Sequence, residues 1–370
     1  MSAAAILMEE SKVEVPTTPL RDPACWLGPD LQHKDDWAYR LTTEDLADLE
    51  AAIDHVAAKG LALIDVDKTD FPLPHLGPAL AKLRHEVMEG RGFTLIRGVP
   101  VERLGRGKAA IAYWGMGRHL GYPVSQNAKG QLLGHVVDLG EVTAETPDST
   151  GQVGNFTNTN VRGYNSRERF YFHIDHADIV GLLCVHQARQ GGESLIASSI
   201  AIHNEILKTR PDLLAVLYEP FWVSRKGEIP AGSRPYFKVP VFTLHRGRLV
   251  TCLNPGPIRH AQNFPEVPRL TPAQVEALDL IDSLASEKRF HLSMVLEAGD
   301  IQFINNYTTL HTRTAYQDFP ELDRRRHLMR LWLVTPDLPP LTQWHHDWYG
   351  AGRRGGIYVP GVREVASLEP

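Results

Sequence analysis

The chain has 370 residues, 43% hydrophobic and 22% charged, the balance of a soluble globular protein with material for a sizeable core. Its formal net charge is −5, and its longest basic run, Arg324-Arg325-Arg326, is short and sits in an apolar pattern, which disfavours nucleic acid as a partner. Cys25, Cys184 and Cys252 are widely spaced and form no CxxC pair, which argues against a disulfide framework or a zinc ribbon. The opening MSAAAILMEESK has no basic leader, and no apolar run reaches the ~20 residues of a membrane span. A cytoplasmic address is therefore expected.

Residues 1–40, punctuated by Pro and charge, read as an irregular arm anchored by Trp26 and Trp37. A single domain is expected over 41–350 and a tail over 351–370. Thr42 and Asp45 open a helix with a capping box; Leu46, Leu49, Ile53 and Val56 form its apolar face, and Gly60 ends it. A second helix runs from Pro78 to Glu89, a strand over Gly92–Val101, and a third helix over Ala109–Leu120. The Gly-, Asn- and Thr-rich stretch 121–165 reads as loop with short strands, the kind of segment that carries substrate contacts. Strands are expected at Arg169–Ile174 and Ile179–Gln187, then helices at Ser199–Lys208 and Pro211–Leu217. Strands at Tyr236–Leu244 and Leu249–Leu253 precede a helix that Thr271-Pro272-Ala273-Gln274 opens. Ile301–Ile304 and His327–Val334 close the strand set. Central strands with helices at the N-terminal end and as inserts suit a mainly β fold with helical decoration. Its core would be a double-stranded β-helix, the jelly roll of cupin-like proteins.

Two imidazoles and one carboxylate on one face of an octahedral ion leave three positions open for chemistry. A His-x-Asp pair on extended backbone supplies two of these ligands, because residues two apart point to one side. The pattern occurs at His33/Asp35, His173/Asp175, His176/Asp178 and His345/Asp347. Only His173/Asp175 directly follows an aromatic strand; His176/Asp178 overlaps it and is the rival, with Asp178 leading into IVGLLCV. Downstream, Ala298-Gly299-Asp300 feeds a strand, Asn305-Asn306 follow, and His311 comes next. In Arg326-His327-Leu328-Met329-Arg330-Leu331-Trp332 the two arginines share a strand face with Leu328 and Trp332. Arginines on an apolar strand need anions, and a small dicarboxylate fits a guanidinium fork; structural ion pairs are the other explanation.

Together these residues resemble the taurine dioxygenase-like (TauD/TfdA) family of Fe(II)/2-oxoglutarate-dependent oxygenases. The matching stretches are FHIDHADIVGLLC (172–184), GGESLIASS (191–199), GDIQFINNYTTLHTRTAY (299–316) and RRRHLMRLWL (324–333). GFTLIRGVPV (92–101) and GYPVSQNAKG (121–130) are similar to that family's N-terminal half. The resemblance implies iron ligation by His173, Asp175 and His311, and a reaction that consumes 2-oxoglutarate and O₂ and releases succinate and CO₂. It implies Arg326 on the distal carboxylate of 2-oxoglutarate with Ser194 as helper and Arg330 beside it nearer the substrate, the two arginines being able to exchange roles. The insertion near Phe319-Pro320-Glu321-Leu322 departs from compact members.

The substrate is expected to be a small carboxylate- or amino-acid-like metabolite, hydroxylated by default, with desaturation or cyclisation needing only a different radical fate. Arg330, His176, Asn127, Asn155, Asn158, Asn160 and Tyr164 are candidate substrate contacts, although polar loop residues are as often solvated turns. A silent jelly-roll protein binding metal or ligand and a zinc hydrolase with the same donors are the alternatives. No membrane partner is expected, and a homodimer is the commonest assembly.

Overall fold

The computed structural model describes residues 15–138, 171–229, 232–335, 337, 341–350 and 353–369. Within the N-terminal stretch, α1 (Gly28–Gln32) and β1 (Ala38–Arg40) precede α2 (Thr43–Lys59). The capping box at Thr42 and Asp45 is formed, and Gly60 ends the helix. Then come α3 (Leu76–Met88), β2 (Phe93–Arg97) and α4 (Val101–Leu120). The last of these starts earlier than its apolar pattern suggests, because two helical pieces join across a kink at Gly105. Two short strands, β3 (Tyr122–Pro123) and β4 (Leu133–Val137), complete the N-terminal half.

The second half contains β5 (Ile179–His186), β6 (Gln190–Gly191), β7 (Ser194–Ser198), α5 (Ser199–Thr209) and α6 (Pro211–Leu217). A strand group follows: β8 (Pro220–Ser224), β9 (Tyr236–Pro240), β10 (Phe242–His245) and β11 (Arg248–Thr251). The single strand expected over Tyr236–Leu244 is thus two. Pro240, with no N–H to give a ladder, ends β9 against β8, and β10 turns to pair with β11. After α7 (Pro255–His260) and α8 (Pro272–Ser286) come β12 (His291–Met294), β13 (Ile301–Asn305), β14 (Thr309–Arg313), β15 (Tyr316–Gln317), β16 (His327–Val334) and α9 (Gln343–Tyr349).

The major sheet runs β1-β2-β13-β5-β16-β3, with β4 also paired to β16; β1 and β2 are parallel and the other pairs antiparallel. A three-stranded sheet, β12-β7-β14, faces it. The period-two alternation assigns the faces. Met329, Leu331 and Leu333 of β16, with Ile179 and Leu183 of β5, pack under α2, α3 and α4. Leu328 and Trp332 of β16, with Val180 and Cys184 of β5, point the other way and meet Ile196, Leu292 and Met294 of the small sheet. Two sheets enclosing one interior, with helices on the outer faces, are the jelly-roll arrangement expected from the sequence.

Candidate metal centre

The stretch 173–179 crosses between the two sheets. His173 makes an antiparallel bridge to His311 on β14, with His173 N–H donating to His311 O at 3.1 Å and the return bond at 3.0 Å. Six residues later Ile179 starts β5 in the major sheet. Asp175 lies midway, held by Asn306: its N–H donates to Asn306 Oδ1 at 2.8 Å, and Asn306 Nδ2 donates to the carbonyls of Asp175 and Ala177. Asn306 therefore does for this irregular backbone what a neighbouring strand would otherwise do.

Ligand atoms of His173, Asp175 and His311 all lie within 4.8 Å of one another, and among the described residues no other group of three potential ligands does so. His173 Nε2 is 4.0 Å from Asp175 Oδ1 and His311 Nε2 is 3.8 Å from Asp175 Oδ2. Bonds of about 2.0–2.2 Å to one first-row ion require these atoms to close by only about 1 Å. His173 Nδ1 faces Tyr171 O at 2.9 Å; a carbonyl only accepts, so Nδ1 carries the proton and Nε2 offers its lone pair. Burial, then the neighbouring His173, hold the His311 imidazole neutral, its pKa pushed down to about 3. Asp175 is desolvated, which opposes ionisation, yet Arg330, the two histidines and Trp332 outweigh this and keep its pKa well below the usual carboxylate range. The donor set is charged as a divalent metal requires.

The two arginines of the β16 stretch have different surroundings. Arg330 is tied down: Nη1 donates to Asp175 Oδ2 at 3.1 Å, Nε donates to Gln126 Oε1 at 2.7 Å, and the guanidinium lies 4.8 Å from the Trp332 ring centre. Trp332 Nε1 donates to the same Asp175 oxygen at 2.7 Å, and His176 stacks on Trp332 at 5.4 Å. Arg326 is buried and makes no ion pair among the described residues. Its Nη1 has no partner and its Nη2 only a 3.5 Å contact to Gly192 O. Burial depresses its pKa. Gly192 makes room for it, since a Cβ there would stand 3.0 Å from Arg326 Nε. A buried guanidinium without a counter-charge is costly unless an anion completes it, so this end of the interior fits a carboxylate.

The remaining expected contacts fall as follows. Ser194 faces the interior from β7, its hydroxyl donating to Gln302 Oε1 at 3.0 Å. The Asn127 side chain closes its own turn, accepting from Lys129 N at 2.9 Å and donating to Gln131. Asn155, Asn158, Asn160 and Tyr164, and the first two residues of the strand expected at Arg169–Ile174, lie outside the described residues; of the rest, only His173 makes a strand-like bridge. Asp178, the rival carboxylate, is fully buried and bound by Tyr307, Thr335 and Arg354. Gln126, Asn306 and Trp332 were not singled out from the sequence. Only Trp332 carried a signal there, sharing its strand face with Arg330.

A sequence model of the taurine catabolism dioxygenase TauD, TfdA family matches residues 57–332. The chain is 31% identical over 330 residues to FR-33289 synthase of Streptomyces rubellomurinus, covering 87% of this chain and 92% of that protein. It is also 31% identical over 318 residues to a taurine hydroxylase-like protein of Stachybotrys chartarum, covering 84% and 79%. Among solved structures, an asparagine oxygenase with Fe(II), 2S,3S-3-hydroxyasparagine and succinate superposes with a TM-score of 0.60 at 17% identity, over 81% of this chain and 94% of that one. The non-haem iron oxygenase OrfP with Fe and alpha-ketoglutaric acid does so at 0.55 and 19%, over 81% and 95%. These likenesses show a shared fold. The protein is a non-haem Fe(II)/2-oxoglutarate-dependent dioxygenase. The chain belongs to the TauD/TfdA family.

Proposed function

We propose that His173, Asp175 and His311 hold the iron, that Arg326 anchors the distal carboxylate of 2-oxoglutarate, and that the enzyme oxidises a small anion-bearing metabolite. The observation that carries this reading is Arg326, a buried guanidinium with an unpartnered Nη1 immediately before β16, the strand that supplies Arg330 and Trp332 to Asp175. When bound, iron and 2-oxoglutarate would activate O₂, one oxygen atom going to succinate as the keto acid loses CO₂ and the other being available to oxidise the substrate. The protein's part is to orient and to exclude water. His173 presents Nε2 because Tyr171 O fixes its other proton. Arg330 and Trp332 crowd Asp175 Oδ2, which favours monodentate use of Asp175 through Oδ1 and keeps further positions open. In this reading Arg326 is the cosubstrate anchor and Arg330 the holder of Asp175, supported by the ion pair that already occupies Arg330.

For the substrate, support comes from small polar molecules in the relatives' names: uridine-5'-phosphate for a dioxygenase of Amycolatopsis sp. 28% identical over 189 residues, and hydroxylated asparagine or arginine in the structural neighbours. An amino-acid-like or carboxylate metabolite, hydroxylated, remains the reading, with His176 beside the Trp332 ring as a substrate contact. Three free cysteines fit a reducing compartment, and a homodimer is the commonest assembly. None of the described helices is long and apolar enough to cross a membrane. The test is an anaerobic titration of metal-free protein with Fe(II) and 2-oxoglutarate, watched for the visible iron-to-keto-acid charge-transfer band. A band that is lost in Arg326→Ala supports the reading, and its absence from folded, iron-loaded wild type refutes the cosubstrate assignment.

A further inference from the structure

Asp178 stands three residues beyond Asp175 and is fully buried. Its Oδ1 accepts from Tyr307 OH at 2.8 Å; its Oδ2 accepts from Thr335 N and Thr335 Oγ1 at 2.7 Å each and from Arg354 Nε at 2.6 Å. Tyr307 follows Asn306, which holds the Asp175 backbone. Thr335 directly follows the strand that carries Arg330 and Trp332. Asp178 thus joins the two elements that fix Asp175, and Arg354 is the cation paired with it among the described residues. Both Thr335 and Arg354 lie beyond residue 332, where the family match ends.

The C-terminal segment also meets the ligand stretch through backbone. Gly356 N–H donates to His176 O at 2.7 Å, and Ile357 N–H donates to Ser125 O at 2.7 Å, next to the Gln126 that holds Arg330. Gly355 lies so close that a Cβ there would stand 2.9 Å from His176 O and 3.2 Å from Ala177 Cα. A strap over 353–357 therefore lies against residues 176–177, immediately after Asp175.

We propose that Arg354 and Asp178 form a positioning pair through which this C-terminal strap holds residues 173–178, and with them Asp175, in ligating geometry. The pair also commits Asp178 elsewhere, so the overlapping His176/Asp178 motif does not compete for the ion. The segment after 350 is then part of the catalytic unit and not an appended tail. The inference rests on the reading of His173, Asp175 and His311 as the iron ligands.

The test compares full-length wild type with Arg354→Ala, Arg354→Lys and Gly355→Ala by hydrogen exchange on metal-free protein and by anaerobic Fe(II) titration. Arg354→Ala and Gly355→Ala are expected to speed exchange across 173–178 and to weaken Fe(II) binding about tenfold, the scale for partners that orient metal ligands. Arg354→Lys should recover most of both. A folded Arg354→Ala whose faster exchange stops at 353–357, with wild-type Fe(II) affinity, overturns the proposal. If Arg354→Ala does not fold, Gly355→Ala is judged by the same two readouts. Wild type that fails to bind Fe(II) overturns the metal assignment instead, while the exchange data still decide whether the strap orders 173–178.

Discussion

Arg330 Nη1 donates to Asp175 Oδ2 at 3.1 Å, so the buried carboxylate finds its counter-charge within the protein itself. Four residues earlier, Arg326 has no such partner among the described residues. The two side chains therefore respond oppositely to deletion.

Replacing Arg326 by Met is expected to stabilise the ligand-free protein by about 1–4 kcal/mol, because an unpaired buried charge gives way to an apolar chain of similar reach. The same change should raise the KM for 2-oxoglutarate about 100-fold, the worth of a charge-assisted pair. Fe(II) affinity should be unchanged. Urea melts with and without saturating 2-oxoglutarate check this: wild type gains stability from the cosubstrate and the variant does not. A variant less stable than wild type without ligand would show that Arg326 already has its counter-charge.

Trp332→Phe keeps an aromatic ring between Arg330 and His176 but removes the 2.7 Å donor to Asp175. Fe(II) affinity is expected to fall about tenfold, with the melting temperature within a few degrees of wild type. Equal iron affinity in the two proteins would assign Trp332 to packing alone.

How much of this was legible in the sequence follows from which interactions are local. The His-x-Asp spacing occurs four times, so His173/Asp175 stood out only by the aromatic strand before it, and His311 by its motif. The capping boxes at Thr42 and Thr271 are local and formed as expected. The difference between the surroundings of Arg326 and Arg330 was not legible. It depends on where a loop 200 residues away places Gln126 and on a register shift between His327 and Leu328. Asn306 carried no signal in the sequence, because its role exists only once the chain has crossed between sheets. The short strands β4, β8 and β12 carry too few residues for their periodicity to stand out.

Stability should fall as the pH drops from about 6.5 toward 3. His203, His311, His327 and His345 are held neutral chiefly by burial, with pKa values pushed down to about 4, 3, 3 and 3. Unfolded chains take up these protons near pH 6.5. The unfolded state therefore binds more protons throughout the window, and each histidine removes up to about 1.4 kcal/mol of stability per pH unit of acidification. Asp175, whose pKa is depressed, adds to the loss only below about pH 4, where its unfolded form begins to protonate. Denaturant midpoints of metal-free protein at pH 7.5, 6 and 5 check the sign. His327→Phe should flatten the slope, since it removes one of these protons without touching His173, Asp175 or His311.

The overlapping His-x-Asp motifs give the sharpest contrast. Asp175→Ala removes a metal donor and also strips Arg330 of its carboxylate, so iron binding and turnover are expected to vanish while a buried cation is exposed to the penalty Asp175 had cancelled. His173→Ala and His311→Ala should abolish turnover equally but leave the Arg330–Asp175 pair intact, so they should melt nearer to wild type. Asp178→Asn keeps a single acceptor oxygen, enough for the Thr335 side or for Tyr307 but not both, and loses the charge opposite Arg354; reduced, measurable turnover is expected. Turnover that survives Asp175→Ala but not Asp178→Asn would assign the metal to the second motif. The packing of Asp178 against three protein groups argues against that outcome.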